Sequence, residues 1–141
     1  MSEQSKQIVL RAMGRLDLRD VEGVVSECAP DCRWHGFSPG PDPLDTAGYK
    51  DAMSAILNAV GDSRFPIDAI VAEGNNVAVQ HRLVGTHTGE FRGVAATGRA
   101  VTVPAIAVFE VDGNAISDVS LHADMLGLLM QIGAIPGSGE G

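Results

Sequence analysis

The chain has 141 residues, 45% of them apolar and 20% charged, as expected for one folded domain and not for a disordered chain. No apolar run approaches the roughly 18 residues needed to cross a bilayer. Ten Lys and Arg against eighteen Asp and Glu leave a net charge of −8, which repels phosphate backbones and anionic lipid and sets nucleic acid and membrane aside as partners.

Ile8, Ala12 and Leu16, with Val9 and Met13 one step round, form one face of a first helix. Asp20 is placed to cap a short second helix carrying Val21, Val24 and Val25, which must stop near Ala29 because Pro30 follows. Residues 32–37 alternate as a short strand, and the prolines between Ser38 and Asp45 make a loop. Tyr49, Met53, Ile56, Leu57 and Val60 then form a helical stripe. Thr46 is its expected N-cap, and Gly61 is expected to end it in a left-handed conformation.

From Phe65 the period changes to two. Strands are predicted at about 66–72, 77–87, 99–111 and 115–122, with turns at Gly74-Asn75-Asn76, at a Gly-rich hairpin end and at Asp112-Gly113-Asn114. A last helix runs from about Asp124 to Ile132, stopped by Gly133 and Pro136. Residues 1–136 are thus expected to be a single domain and 137–141 a flexible tail.

Helices followed by a run of antiparallel strands argue for the α+β class. Helices laid on one curved, mostly antiparallel sheet would enclose a cone whose open end holds a ligand. Cys28 and Cys32 are too few for a disulfide framework, and Arg11 interrupts Ile8-Val9-Leu10 before it can form the apolar core of a secretory signal. A cytoplasmic protein with reduced thiols is the expectation.

Gly85-Thr86-His87-Thr88-Gly89-Glu90-Phe91, then Gly93 and Ala96-Thr97-Gly98-Arg99, form a hairpin that resembles that of the SnoaL-like polyketide cyclases. The ending Asp124-x-Leu126-Gly127-Leu128-Leu129-x-Gln131-Ile132-Gly133, His35 after Pro30-Asp31, and Gly48 opening the long helix extend the resemblance over about residues 5–136. The resemblance implies a cone-shaped α+β barrel of the nuclear-transport-factor-two-like type, with N-terminal helices over the concave face of its sheet and two or four copies assembled through the outer face. It also implies an intramolecular aldol ring closure of an aromatic polyketide with no metal or cofactor, and it nominates Asp124 as general acid/base. Relatives of this fold also hydroxylate without cofactor, open epoxides or isomerise double bonds, so fold alone does not choose the reaction.

Alternation puts Asp118, Ser120, His122 and Asp124 on one face of the last strand and Val119, Leu121 and Ala123 on the other. The polar face is expected to line the cavity, and the apolar face to pack against a partner subunit. The competing reading leaves the polar face in solvent and Asp124 as a helix cap. In the first reading, burial raises the Asp124 pKa toward neutrality and His122 orients it or carries a second proton. Ser120, where the family often has a bulky aromatic, implies a roomier pocket or a different substrate.

His81 shares a face with Val77, Val79 and Leu83, which suits a hydrogen-bonded core histidine as well as a substrate contact. His35 is nominated for the pocket lining, Trp34, Phe37 and Tyr49 for flat apolar contacts, and His87 for a structural hydrogen bond. Cys28, Cys32 and His35 resemble half a metal site, but Pro30 is expected to put the two cysteines on different elements. No phosphate-binding loop, dinucleotide fingerprint or nucleophile elbow is present. The expectation is a cofactor-free enzyme acting on a hydrophobic, oxygenated small molecule. A cofactor-independent hydroxylase and a non-catalytic ligand-binding module are the alternatives, and an epoxide-opening set of Asp118, Asp124 and Arg82 ranks behind them.

Overall fold

A computed structural model describes residues 2–135, so the expected tail at 137–141 and the stop at Pro136 lie outside the described residues. Helix α1 (Ser2–Asp17) buries Ile8, Val9, Ala12, Met13 and Leu16, the stripe read from the sequence. The Gly23 amide donates to Asp20 at 2.9 Å and caps α2 (Val21–Val25). Strand β1 (Cys28–His35) begins before the alternation at Cys32 and runs through Pro30. It can do so because β1 is an edge strand whose ladder is irregular between Cys28 and Arg33, so the missing N–H of proline breaks no bond. Cys28, Cys32 and His35 therefore share one strand, contrary to the expectation from Pro30.

Helix α3 (Thr46–Ala59) is capped by Asp45, one residue before the expected Thr46, with the Gly48 amide donating to Asp45 at 2.8 Å. The Thr46 hydroxyl instead accepts the Trp34 Nε1–H at 3.4 Å, fastening the helix to β1. The helix ends at Ala59, and Gly61 does not adopt the expected left-handed conformation. Its glycine serves a close approach: a Cβ there would meet Thr88 Oγ1 at 2.8 Å.

Strands β2 (Ile67–Glu73), β3 (Asn76–Thr86), β4 (Ala100–Asp112) and β5 (Ala115–Ala123) follow, then α4 (Met125–Gln131). All lie within a few residues of their predicted positions. The sheet order is β1-β5-β4-β3-β2, with β1 parallel to β5 and the other pairs antiparallel. Closing a sheet into a barrel requires its edge strands to exchange hydrogen bonds. Here β1 and β2 stand at opposite edges and do not pair, so the sheet is open and not strongly curled. The fold is α+β with a mixed sheet, and the expected cone-shaped barrel is corrected to an open sheet whose inner face the helices cover. Helix α1 packs on β2, β3 and β5, and α3 on β1.

Burial along β4 alternates without a break, with Val101, Val103, Ala105, Ala107, Phe109 and Val111 turned inward. Ile116 of β5 is fully buried, and truncating it to Ala would cost about 2–5 kcal/mol. The β4–β5 ladder stops at Ala105 and Ala123, next to Pro104. Pro104 has no N–H to continue the ladder, and its carbonyl accepts the Asp124 amide at 3.1 Å where the chain leaves the sheet for α4. No helix among the described residues is long and apolar enough to cross a membrane.

A buried cavity as candidate active site

Alternation on β3, β4 and β5 sends aliphatic side chains inward, and most are short: Val103, Ala105, Ala107, Val119 and Ala123. Together they leave a cavity of about 80 Å³ between the sheet and helices α1 and α3. A wider recess of about 410 Å³ adjoins it and shares Phe37, Met53, Ile56, Leu121 and Met125 with it. The recess shares a wall with the cavity, as a vestibule would, and its lining also carries Ser38, Asn58, Glu90 and Arg92.

Three aromatic side chains shape one end. Trp34 and Tyr49 stack with ring centroids 3.7 Å apart and planes 9° apart, and Phe37 meets their rings edge-on at 5.6 and 5.2 Å. Burial pushes the Tyr49 phenol upward, so it keeps its proton and remains an O–H donor. All three, nominated from the sequence for flat apolar contacts to a substrate, line the cavity.

His81, only 6% exposed, is the single wall residue with a basic nitrogen. Its Nδ1 lies 3.2 Å from the Val79 carbonyl oxygen. A carbonyl only accepts, so Nδ1 carries the hydrogen and donates, and Nε2 keeps its lone pair. Burial lowers the His81 pKa, with the Val79 hydrogen bond and the Asp68 charge opposing it. The site thus holds a neutral imidazole with one basic nitrogen, inside a wall where the remaining side chains are apolar apart from the Tyr49 hydroxyl and the Trp34 N–H. His81 is the hydrogen-bonded buried residue expected of its apolar face, and it also lines the cavity.

The last strand faces the other way from expectation. Val119, Leu121 and Ala123 line the cavity. Asp118, Ser120 and His122 stand opposite Glu110, Val108 and Ile106 of β4, and directly paired residues share a face. Ile106 and Val108 are exposed, so the polar face of β5 belongs to the outer side of the sheet. The neighbouring strand decides this: Val119 pairs with buried Phe109, which commits the apolar set to the helices.

Asp124 is exposed, lines neither space, and caps α4 by accepting the Gly127 amide at 2.8 Å. Its neighbours Ala123 and Met125 do line the cavity. His35 also sits on the outer side and not in the pocket, with Nε2 3.0 Å from Asp118 and Nδ1 3.3 Å from Asp42. The Asp118 hydrogen bond foremost raises its pKa, burial opposes it, and Asp42 adds to the rise.

Arg82 is paired with Asp68 at 3.0 Å and does not join Asp118 or Asp124. His87 is buried, and its Nδ1 accepts the Thr97 amide at 3.2 Å, a hydrogen bond within the hairpin. Among the described residues no group of three His, Cys, Asp or Glu is placed to hold a metal ion. Sequence reasoning missed the vestibule lining, although the Gly-rich hairpin that carries Glu90, Phe91 and Arg92 was itself visible.

A search of curated proteins returned no match. Among solved structures the chain is similar to AclR, a candidate hydroxylase from Streptomyces galilaeus, at 23% identity and a TM-score of 0.89, over 99% of this chain and 87% of that one. It is similar to IdmH, a candidate polyketide cyclase from Streptomyces antibioticus, at 23% identity and a TM-score of 0.79, over 92% and 99% of the two chains. A candidate polyketide cyclase from Acidithiobacillus ferrooxidans matches at 25% identity and a TM-score of 0.79, over 95% and 97%. The family model for SnoaL-like polyketide cyclase matches residues 7–132. With the hairpin and the last helix where the motifs placed them, the chain belongs to the SnoaL-like polyketide cyclase family.

Proposed function

We propose that the protein is a cofactor-independent enzyme that closes a ring in a hydrophobic, oxygenated small molecule of the polyketide type, with His81 as the base. The observation that carries this reading is a buried imidazole, fixed by Val79, in a wall that is apolar apart from the Tyr49 hydroxyl and the Trp34 N–H. Nε2 of His81 takes a proton from the carbon next to a substrate carbonyl. The resulting enolate carbon attacks a second carbonyl of the same molecule, forming the new C–C bond. The alkoxide left by that attack takes the proton back from the imidazolium, so the product is an isomer of the substrate. The apolar walls keep bulk water from quenching the enolate, and the Tyr49 hydroxyl supplies a hydrogen bond to the oxygen that becomes negative.

Asp124, nominated by the family resemblance, is the rival base. Its exposure and its bond to Gly127 favour His81. In this reading a second copy of the chain covers the outer sheet face, where Val71, Ile106 and Val108 are exposed, and the enzyme works in the cytoplasm with both thiols free.

Mass spectrometry of an anthraquinone-type keto ester incubated with the enzyme tests the reaction. An isomer of unchanged mass supports ring closure, a gain of one oxygen replaces it with hydroxylation, and tight binding without conversion makes the protein a ligand carrier.

A further inference from the structure

The hairpin tip at the vestibule has a feature that neither ring closure nor folding requires. Phe91 and Val94 exchange backbone hydrogen bonds at 2.9 Å in both directions, leaving Arg92 and Gly93 as a two-residue turn. Both have positive φ, +48° and +83°, as in a type I′ turn. The first of these positions favours Asn, Asp or Gly, and a long side chain such as Arg is strained there. The turn nevertheless holds Arg92 in the vestibule lining. Phe91, only 6% exposed, anchors the turn inside, and the Arg92 guanidinium carbon lies 5.0 Å from the centre of its ring.

Arg11, Arg15, Arg64 and Arg82 each hold a carboxylate. Arg19 and Arg99 donate to backbone carbonyls, and Arg33 and Arg92 hold no carboxylate among the described residues; of these four, Arg92 lines the recess, together with Glu90. A guanidinium offers paired N–H donors that match a carboxylate, and it lines the recess beside an apolar cavity in a chain of net charge −8.

We infer that the substrate carries a carboxylate and that Arg92 holds it in the recess beside the cavity. The inference rests on the cavity being the substrate site. It also orients the molecule, with its acidic end in the recess and its carbon acid inward, toward His81. Glu90 repels the same carboxylate and keeps its affinity below what Arg92 alone would give.

Isothermal titration of the full chain with anthraquinone-2-carboxylate and with its neutral carboxamide, at neutral pH and low salt, tests this. Wild type is expected to bind the acid about tenfold more tightly than the amide, the worth of one exposed charge-assisted contact. R92N should abolish that preference while changing amide affinity by less than about twofold, R92K should keep part of it, and E90Q should tighten acid binding. R92N should not melt below wild type, because Asn suits the turn, so its loss of acid binding is not unfolding. Equal binding of acid and amide by wild type, or equal loss of both in R92N, overturns the inference but leaves the cavity as the binding site. Failure of both probes to bind overturns the inference and the cavity reading together, and binding of the amide without the acid overturns the inference alone.

Discussion

The Gly127 amide donates a 2.8 Å hydrogen bond to Oδ1 of Asp124, tying the carboxylate at the β5–α4 junction to the first turn of its helix. A carboxylate held this way satisfies a helix-end N–H and favours the positive end of the helix. D124A should therefore lose about 1 kcal/mol of stability in urea unfolding. D124N should lose no more than a few tenths, because Asn caps as well as Asp, and should retain most of its turnover. A large drop in turnover for D124N at unchanged stability would return the acid/base role to Asp124.

Burial lowers the His81 pKa, and that sets the sign of the pH profile. The neutral form is the base, so kcat/KM should rise from acid toward neutrality with an inflection below about 6.5, then stay level to about pH 8. Folding stability follows the same group. It is fully present above about 6.5, where the unfolded histidine is neutral, and falls as pH drops through the folded value. An inflection near 4 that survives in H81Q would instead identify a carboxylate base.

His35 has the opposite sign. With Nε2 3.0 Å from Asp118 and Nδ1 3.3 Å from Asp42, both ring nitrogens face carboxylates, which favours the imidazolium. Its raised pKa contributes stability that is fully present below about 6.5 and is lost as pH rises through the folded value. Because the cluster is exposed, the contribution should stay under about 1 kcal/mol. Urea unfolding of D118N should show that loss at pH 6 and almost none at pH 9.

The outer sheet face exposes Val71 to 67%, Ile106 to 47% and Val108 to 39%. Cover by a second copy predicts the mass of a dimer or tetramer in light scattering at micromolar concentration. The double variant I106E/V108E should shift the protein to monomer, since charges desolvated at an interface are costly. A monomeric wild type would remove the second copy from the account.

Period 3.6 around Tyr49 and period two through β4 were plain in the sequence because each element buries one regular face. Alternation in β5 was equally plain, but it separates two faces without saying which one meets the helices. That choice is made by the pairing of Val119 with Phe109, a contact between strands. Sheet closure was illegible for the same reason, since it depends on whether β1 reaches β2. Pro30 misled because a proline reads as a stop when nothing reveals that its strand lies at an edge. The cap was misplaced because Asp45 and Thr46 are adjacent and both cap well. The burial of His81 was legible through the company of Val77, Val79 and Leu83, whereas its place in a cavity wall and its proton placement needed the packed strands and the Val79 carbonyl.

Solvent exchange tests the central assignment most directly. An anthraquinone-type keto ester lacking the second carbonyl cannot close a ring, so in D₂O its acidic C–H should be replaced by deuterium wherever the enzyme removes the proton. The account predicts rapid exchange with wild type and D124N, and a rate lower by about 10²–10⁴ with H81Q. Undiminished exchange with H81Q, together with loss in D124N, would contradict it.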